Sequence, residues 1–340
     1  MRGIAKWVVV AVSTLIVLVG AGWLAVHRAD IPYATLEDRY QLGSSDYVRL
    51  PNGLLVHYTD EGPSDGPVML MVHGLASSLE TWTAWKEEFL HDYRVIRVDL
   101  PGHGLTRVLG TTDLTTSGLV DFLDRFATQL DLEKFTLVGV SLGGHLGWEY
   151  ALRFPDRLHA LVMVAPAGAM IEASSYLETT DGQSWIGNDM VRRFLATLDP
   201  APAIRSGLEA AFSTPDMVSS ELVEQYSELA RAPGHRSALL QIAARPDRAH
   251  EDALSRVRGV SVPVFVLHGD LDAVIPVTHG QQIAAAIEGA RFSVMTGVGH
   301  LPQEERPSES ADRVLDFLLS LQTETPPPDA TGFDVPSADE

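Results

Sequence analysis

Cysteine is absent from this chain of 340 residues, which excludes disulfides, thiolate metal sites and a cysteine nucleophile. Basic residues are few: 25 lysines and arginines stand against 45 aspartates and glutamates, giving a formal net charge of −20. Such a surface repels phosphate, which argues against nucleic acid as a partner. There is no H-E-x-x-H motif and no spaced cysteine–histidine set, so neither a metal site nor another cofactor is expected.

A long apolar run lies near the start of the chain. Trp7–Val26 carries no charge, matches the thickness of a bilayer core, and follows Arg2 and Lys6. These features predict a transmembrane signal-anchor over residues 1–27 and a polar juxtamembrane connector over residues 28–45. The positive-inside rule then puts the rest of the chain on the extracytoplasmic side, periplasmic or extracellular. The alternative is a cleaved signal peptide and a secreted protein.

Strand-like and helix-like segments alternate along the middle of the chain. A hairpin with its turn at Asn52-Gly53 comes first, and apolar runs typical of buried strands then alternate with helical spacing. This alternation predicts an α/β fold, a mostly parallel sheet covered by helices on both faces. The predicted strands are Val68–Val72, Arg94–Val98, Phe135–Val140, Leu158–Val164, Val262–Leu267 and Arg291–Met295. The predicted helices are Thr81–Leu90, Leu114–Leu130, Thr278–Ile287 and Ser308–Leu321.

The strand pattern stops in the second half of the chain and then resumes. Residues 169–256 have helical stretches and no convincing strand, which predicts a helical cap that supplies an apolar pocket. The core domain would therefore comprise residues 46–168 and 257–321. Residues 322–340 are acidic and rich in proline, so they are predicted to be a disordered tail.

The most informative stretch is Lys134–Tyr150, an apolar strand followed by Gly139-Val140-Ser141-Leu142-Gly143 and a helical segment. A serine at the tip of so sharp a turn needs small residues two positions before and after it. Its hydroxyl would stand at the carboxyl edge of the sheet, beside the positive end of a helix. A G-x-S-x-G pattern alone is weak evidence, so the prediction depends on residues further along the chain.

An acid and a histidine come after Ser141 in the chain, each just after a predicted strand. The acid is Asp270 or Asp272, and the histidine is His300. A histidine can take the serine proton, and a carboxylate can orient the imidazole. His145 is a weaker rival for the base, because its helix carries it away from the strand edge.

These motifs together resemble the α/β-hydrolase superfamily over Asp46–Leu321. The likeness lies in His73-Gly74, Asp99-Leu100-Pro101-Gly102-His103-Gly104, the Ser141 turn, Gly269-x-x-Asp272 with Pro276, and Gly299-His300. With the apolar N-terminus, the chain is similar to membrane-anchored lipases and esterases of that superfamily. The resemblance implies the α/β-hydrolase fold with an inserted helical cap.

The resemblance also implies a catalytic triad and an oxyanion hole. It selects Asp272 over Asp270 as the acid, beside Ser141 and His300, and it makes the backbone N–H groups of Leu75 and Leu142 the oxyanion donors. Residues expected to line the substrate pocket are His73, Gly74, Met170, Trp185 and Phe194.

The expected activity is hydrolysis of carboxylic esters, through an acyl-enzyme, on small-molecule or lipid esters with hydrophobic acyl groups. Carbon–carbon bond hydrolases and cofactor-free haloperoxidases of the same fold use the same triad and remain alternatives. An alternative of a different class is a catalytically silent, membrane-anchored binding protein.

Overall fold

The computed structural model describes Thr14 and residues 20–168, 188–244 and 252–323 of the chain. Within these residues, one sheet of eight strands runs in the order β1-β2-β4-β3-β5-β6-β7-β8. The strands are β1 Ser45–Arg49, β2 Leu55–Glu61, β3 Val68–Val72, β4 Arg94–Val98, β5 Phe135–Val140, β6 Leu158–Val164, β7 Val264–Gly269 and β8 Arg291–Met295.

The sheet is antiparallel at one end and parallel through the rest. β1 pairs with β2 and β2 with β4 in antiparallel register, whereas all pairings from β4 to β8 are parallel. The β1–β2 connection turns at Gly53, which has the positive φ of 88° that glycine tolerates best. The predicted hairpin and the predicted parallel sheet are both confirmed. The carboxyl ends of β3 to β8 consequently share one edge.

Helices cover both faces of the sheet. The helices after residue 27 in the described part of the chain are α1 Tyr33–Tyr40, α2 Thr83–Lys86, α3 Thr116–Gln129, α4 Leu142–Arg153, α5 Asp189–Leu195, α6 Ala201–Ala211, α7 Ser220–Ala230, α8 His235–Ala243, α9 Ala253–Val257, α10 Val277–Ala286, α11 Pro302–Glu305 and α12 Pro307–Thr323. The α/β-hydrolase fold predicted from the sequence is therefore confirmed. The division into core, cap and tail remains a prediction, and residues 324–340 of the tail lie outside the described residues.

Each face of the sheet has its own apolar core, because side chains alternate along a strand. On β3, Leu70 and Val72 pack with α3 and α4, whereas Met69 and Met71 pack with the opposite cluster. β5 is buried along its whole length, as a central strand covered on both faces must be. This packing fixes the strand ends from which the loops of the candidate site start.

One predicted helix differs from the observed structure. Thr81–Leu90 is a 3₁₀ turn, Leu79–Trp82, followed by the four-residue helix α2. Trp82 and Trp85 are fully buried and stack with ring centroids 5.2 Å apart. The two indoles fill the core directly under the sheet, as predicted, and a short irregular segment is enough to deliver them.

The predicted membrane anchor, with the domain on the extracytoplasmic side, is wrong for the described residues. No helix in that part of the chain is long and apolar enough to cross a bilayer. Of the run Trp7–Val26, only Thr14 and residues 20–26 are described, and the latter are helical. The remaining residues of the run lie outside the described part.

Residues 27–40 comprise the last residue of the predicted anchor and most of the predicted connector, and they form an N-terminal strap packed on the helices of the predicted cap, α5–α8. His27 bridges to Leu198, and Ile31 N–H donates to Arg231 O at 2.8 Å. Leu36 on α1 is fully buried against apolar residues of the core and of α7. The strap thus joins the helical insertion to the rest of the fold.

Arg236 on α8 makes several polar contacts with the strap. Its guanidinium donates to Arg28 O at 2.7 Å and to Leu198 O at 2.9 Å, and pairs with Asp30 at 2.5 Å. Only 9% of the residue is exposed. The guanidinium is therefore largely removed from water, where an unmade hydrogen bond is costly.

We expect Arg236→Ala to lower the free energy of unfolding by about 2–3 kcal/mol, because two partly buried carbonyls lose their donor. Urea denaturation of the full chain measures the change. The matched control is Arg205→Ala on exposed α6, whose effect should stay within about 0.5 kcal/mol. Equal effects of the two substitutions would show that the strap contributes nothing to the stability of the cap.

Candidate active site

Ser141 stands at the turn between β5 and α4 in a strained conformation. Its φ of 54° and ψ of −112° lie outside the regions that residues with a side chain favour. The backbone holds this geometry from both sides: Ser141 N–H donates to Val164 O at 2.9 Å, and Ala167 N–H donates to Ser141 O at 3.0 Å. The side chain is thereby presented at the carboxyl edge of the sheet.

Glycines on either side of Ser141 make this turn possible. A Cβ on Gly139 would lie 2.2 Å from Gly143 O, and a Cβ on Gly143 would lie 2.2 Å from Val72 O. Both contacts are with backbone atoms that cannot move aside. The crowding that the sequence predicts for the turn is therefore present, and only glycine fits at either position.

Asp272 and His300 lie in contact at the same edge. Asp272 follows β7, His300 follows β8, and His300 Nδ1 lies 2.7 Å from Asp272 Oδ2. The other carboxylate oxygen, Oδ1, accepts the N–H groups of Val274 and Ile275, each at 2.8 Å. Both side chains are buried, so the pair is held apart from water.

The environment of Asp272 favours the ionised form. Burial alone would raise the pKa of its carboxyl, but the nearby His300 imidazole and the hydrogen bonds from His268, His300 and Ile275 N–H outweigh it. The net effect is a pKa of Asp272 well below the ordinary range. A fixed carboxylate on Nδ1 keeps the other ring nitrogen of His300 available as a base.

Ser141 and His300 share this edge but are not hydrogen-bonded to each other. Among the described residues, Ser141 Oγ has no hydrogen-bond partner, and His300 pairs through its ring only with Asp272. Catalytic hydrogen bonds are often long without substrate and tighten when it binds. The structure therefore brings Asp272 and His300 into contact, with Ser141 presented at the same edge of the sheet.

The two expected oxyanion donors start neighbouring segments. Leu142 is the first residue of α4, and Leu75 follows Gly74, where an added Cβ would lie 3.3 Å from Ser141 Cβ. Neither N–H donates to another group among the described residues. Ala76, next to Leu75, has a φ of 59°, so this loop also departs from relaxed geometry. Two unused N–H groups beside a serine hydroxyl can stabilise a negative oxygen.

The residues expected to line the substrate pocket divide into three groups. The first group is next to Ser141: Gly74 lies against it, and His73 precedes Gly74. The His73 ring is fully buried, with Nδ1 2.7 Å from Gly74 O and Nε2 accepting Leu100 N–H at 3.0 Å. Burial lowers the pKa of His73, so its ring serves as a neutral brace for the loop. Phe194 on α5 is 53% exposed. Met170 and Trp185 lie outside the described residues.

The rival candidates for the acid and the base have other roles. Asp270 is exposed, and its Oδ1 accepts Gly297 N–H at 2.7 Å, which ties the loop after β7 to the loop after β8. His145 is buried inside α4 and stacks on Trp148 with ring centroids 5.1 Å apart. Neither is part of the Asp272–His300 pair.

Asp99 organises the loops beneath the site, a role that the sequence did not reveal. Its buried carboxylate accepts Leu79 N–H at 2.7 Å and Leu105 N–H at 2.8 Å, and it pairs with His57 Nδ1 at 2.7 Å. Burial alone would raise the pKa of Asp99, but His57, the nearby His73 and Leu105 N–H outweigh it and lower the pKa. Asp99 thus anchors the loop that carries Leu75 to the loop after β4.

Glu304 lies where the loop after β8 meets the cap. It accepts a hydrogen bond from Thr81, and it neighbours Tyr226 of α7, whose hydroxyl lies 3.2 Å from Ser77 Oγ. Burial raises the pKa of Glu304 from 4.5 to about 7, and Glu305 adds to this effect while Thr81 and Tyr226 oppose it. The Glu304 carboxyl therefore lies where the segment after β8, the loop after β3 and helix α7 meet.

This shift makes folding stability depend on pH. Between pH 4.5 and about 7 the folded chain binds the Glu304 proton more tightly than the unfolded chain. Stability is therefore highest below that window and falls as the pH rises through it. Full linkage gives about 3 kcal/mol as an upper bound, and partial exposure of the side chain reduces this to about 1–2 kcal/mol.

We expect Glu304→Gln to remove the loss of stability at higher pH, because glutamine does not titrate. Between pH 5 and pH 8 the free energy of unfolding of this variant should therefore change less than that of the wild type. Urea denaturation at several pH values measures it. Glu288→Gln, at an exposed position in the turn before β8, is the control and should behave like the wild type. Parallel curves for the wild type and Glu304→Gln would contradict the argument.

The described residues do not contain a group of three or more histidines, aspartates or glutamates that could hold a metal ion. The chemistry available at this edge is that of a serine hydroxyl, a carboxylate-held imidazole and free backbone N–H groups.

Comparison with known proteins gives relatives that match over most of this chain. Monoacylglycerol lipase abhd6-A of Xenopus laevis is 28% identical over 276 residues, which cover 78% of this chain and 80% of that protein. The 2-hydroxy-6-oxo-2,4-heptadienoate hydrolase of Pseudomonas putida is 27% identical over 278 residues, 80% of this chain and 95% of that protein.

A solved structure and a family profile agree with these matches. The crystal structure of a membrane phospholipase A, a bacterial virulence factor, superposes with a TM-score of 0.71 and 21% identity. It covers 93% of this chain and 99% of its own, and it bears on the fold alone. The family profile described as alpha/beta hydrolase fold matches residues 67–307. This chain belongs to the alpha/beta hydrolase fold family.

Proposed function

We propose that this protein is a serine hydrolase of carboxylic esters, with Ser141 as nucleophile, His300 as general base and acid, and Asp272 as the orienting carboxylate. The observation that carries the proposal is the 2.7 Å contact between His300 Nδ1 and Asp272 Oδ2 at the sheet edge where Ser141 is presented. A binding protein has no chemical need for this set of groups at one edge.

The first half-reaction forms an acyl-enzyme. His300 Nε2 takes the Ser141 proton as Oγ attacks the ester carbonyl, and the carbonyl oxygen becomes an oxyanion. The N–H groups of Leu75 and Leu142 receive this oxyanion, and losing one such donor typically costs about 3 kcal/mol of transition-state stabilisation. The tetrahedral intermediate then collapses, the C–O bond to the alcohol breaks, and His300 returns the proton to the departing alkoxide.

The second half-reaction releases the acid. Water attacks the acyl carbon while His300 takes its proton, the same N–H groups hold the new oxyanion, and the bond to Ser141 Oγ breaks. His300 gives the proton back to Ser141, and the carboxylic acid leaves. The enzyme is restored with one ester bond and one water consumed.

Hydrophobic acyl esters are the substrate class that we propose. A narrow cleft lies between the loop after Leu75 and the cap, with Leu229, Ala230 and Leu239 on one wall and Ser77 and Tyr226 on another. An apolar wall favours an aliphatic group, and a monoacylglycerol lipase among the relatives is consistent with an ester of this kind.

The runner-up function is hydrolysis of a carbon–carbon bond, which a 2-hydroxy-6-oxo-2,4-heptadienoate hydrolase among the relatives keeps open. The same serine, histidine and aspartate would serve it, and so would those of a cofactor-free haloperoxidase. The groups at the site do not separate these reactions, because all start from the same constellation.

Hydrolysis of p-nitrophenyl esters with acyl chains of two to sixteen carbons tests the proposal. We expect activity that rises with chain length to an optimum set by the pocket and that disappears in Ser141→Ala. Labelling of Ser141 by a fluorophosphonate without hydrolysis of any ester would favour the carbon–carbon bond hydrolase. Neither labelling nor hydrolysis in a folded protein would favour a silent binding protein.

A further inference from the structure

A second histidine contacts the acid of the proposed triad. His268, on β7, is fully buried, and its Nε2 lies 3.0 Å from Asp272 Oδ2 and 2.9 Å from Ile275 O. Both neighbours are acceptors, so Nε2 carries the proton and donates. One oxygen of Asp272 therefore receives two imidazole N–H groups, from His300 and from His268.

This arrangement fixes the carboxylate completely. Oδ2 accepts the two imidazoles, and Oδ1 accepts the N–H groups of Val274 and Ile275. Rotation of the carboxylate would break contacts on both oxygens at once. Because His268 also reaches Ile275 O, it ties the acid to the turn that supplies the backbone donors.

We propose that His268 is a positioning residue that sets the orientation of Asp272 and the share of its negative charge that reaches His300. The proposal rests on the proposed function, since it assigns His268 a part in the same triad. His268 never touches the substrate; it acts through Asp272.

Among the described residues, Nε2 is the ring atom of His268 that makes hydrogen bonds. Nδ1 is buried without a hydrogen-bond partner there, and α10 presses on that side of the ring, where a Cβ on Gly280 would lie 2.4 Å from Nδ1. Turning the ring over would take Nε2 away from both of its acceptors. Within this part of the chain, the polar contacts of the ring are therefore those to Asp272 and Ile275.

Other titratable groups face this pair from the neighbouring elements. They are His279 on α10, His145 on α4 and Glu305 on α11, whose carboxylate accepts Gly299 N–H at 2.8 Å. Burial and the neighbouring His268 and His145 lower the pKa of His279 to about 4, so His279 stays neutral at working pH. His268 and His300 make the imidazole hydrogen bonds to Asp272 Oδ2. Substituting His268 removes one of these bonds, whereas substituting His279 leaves both in place, so the two variants can be told apart.

The negative charge of Asp272 is therefore shared between two hydrogen-bond donors, His268 and His300. Because the His268 N–H already stabilises part of that charge, Asp272 attracts a protonated His300 less strongly. Removing the donor leaves Asp272 more strongly coupled to His300 and less firmly held. Protonation of His300 then persists to higher pH, and the His300 ring is oriented less firmly because Asp272 is less firmly held.

The test compares His268→Leu, which removes the donor, with His268→Gln, whose side-chain amide reaches the place of Nε2. NMR titration of His300 in isotopically labelled full-length protein, assigned with His300→Ala, is the direct readout. We expect the His300 midpoint in His268→Leu to move upward by about 0.5–1 pH unit and to stay close to wild type in His268→Gln. If His268→Leu does not fold, His268→Met, of similar length without an N–H, replaces it.

Kinetics on the best ester gives a second readout. We expect kcat to fall about tenfold in His268→Leu with KM within about twofold of wild type, since a hydrogen bond to a charged group is lost and substrate contacts are not. His279→Gln, a matched buried histidine, should change neither the kinetics nor the titration of His300.

An unchanged His300 midpoint in both donor-free variants would overturn the proposal. So would a raised KM with unchanged kcat, or equal effects of His268→Leu and His268→Gln. The titration does not depend on any substrate, so a wild type that hydrolyses no ester would refute the proposed function while the role of His268 is still decided.

Discussion

Replacing Ser141 by alanine is expected to reduce kcat on the best ester by about 10⁴- to 10⁶-fold. The reason is that the reaction loses its nucleophile, and only binding and the N–H groups of Leu75 and Leu142 then assist attack by water. Stopped assays of the purified full chain on p-nitrophenyl esters measure the loss. The backbone at residue 141 should not change, because alanine fits where serine does.

The matched control is Ser320→Ala, at a serine on α12 whose hydroxyl donates to Phe317 O of the same helix. We expect its kcat to stay within about twofold of wild type. Thermal unfolding of Ser141→Ala should match that of wild type, which would separate loss of chemistry from loss of fold. Residual activity above one hundredth of wild type would mean that Ser141 is not the nucleophile.

Replacing Asp272 by asparagine is expected to reduce kcat by about 10³- to 10⁴-fold. The two N–H groups of Val274 and Ile275 hold the oxygen of the new amide at the place of Oδ1. Its NH₂ group then faces His300 Nδ1, which must give up its proton and accept. His300 would carry the proton on Nε2 instead, toward Ser141, where it cannot act as a base.

Asp270→Asn is the matched control, because Asp270 is an exposed aspartate two positions away whose role is to accept Gly297 N–H. We expect its kcat to stay within about threefold of wild type. A larger loss in Asp270→Asn than in Asp272→Asn would transfer the role of the acid to Asp270 and contradict the geometry of the His300 pair.

Strands buried on both faces could be predicted from the sequence because their apolar runs do not depend on distant partners. β3, β4, β5 and β6 have the predicted bounds, and so does the half-buried edge strand β8. The sequence predicts β7 at Val262–Leu267, and the strand lies two residues later. Pro263 lacks an N–H and offers only its carbonyl, which accepts Leu161 N–H at 2.9 Å. At the other end the ladder continues to Gly269, which pairs with Met295 of β8.

The N-terminal strap could not be predicted, because its stabilising contacts come from far along the chain. Leu36 is buried against Leu105, Leu229 and Ala232, and no local pattern in a polar segment reveals those partners. The prediction for the apolar run before it rests on length and flanking charges alone. The described residues show instead a segment folded against the cap.

The candidate site was predictable in part, for the same physical reason. Ser141, Asp272 and His300 each come after a strand, and parallel strands bring their carboxyl ends to one edge whatever the loops do. His268 and Asp99 could not be assigned their roles, because each acts through hydrogen bonds across loops. His268 precedes Gly269 of the motif that marks Asp272, and that adjacency is the only signal in the sequence.

Covalent labelling tests the central claim most directly. The full chain would be treated with a fluorophosphonate, digested and mapped by mass spectrometry, alongside Ser141→Ala and His300→Ala. We predict one modified peptide, containing Ser141, with labelling absent in Ser141→Ala and slowed at least about 100-fold in His300→Ala. Modification at another serine, or none in a folded wild-type protein, would contradict the proposal that Ser141 and His300 form the reactive centre.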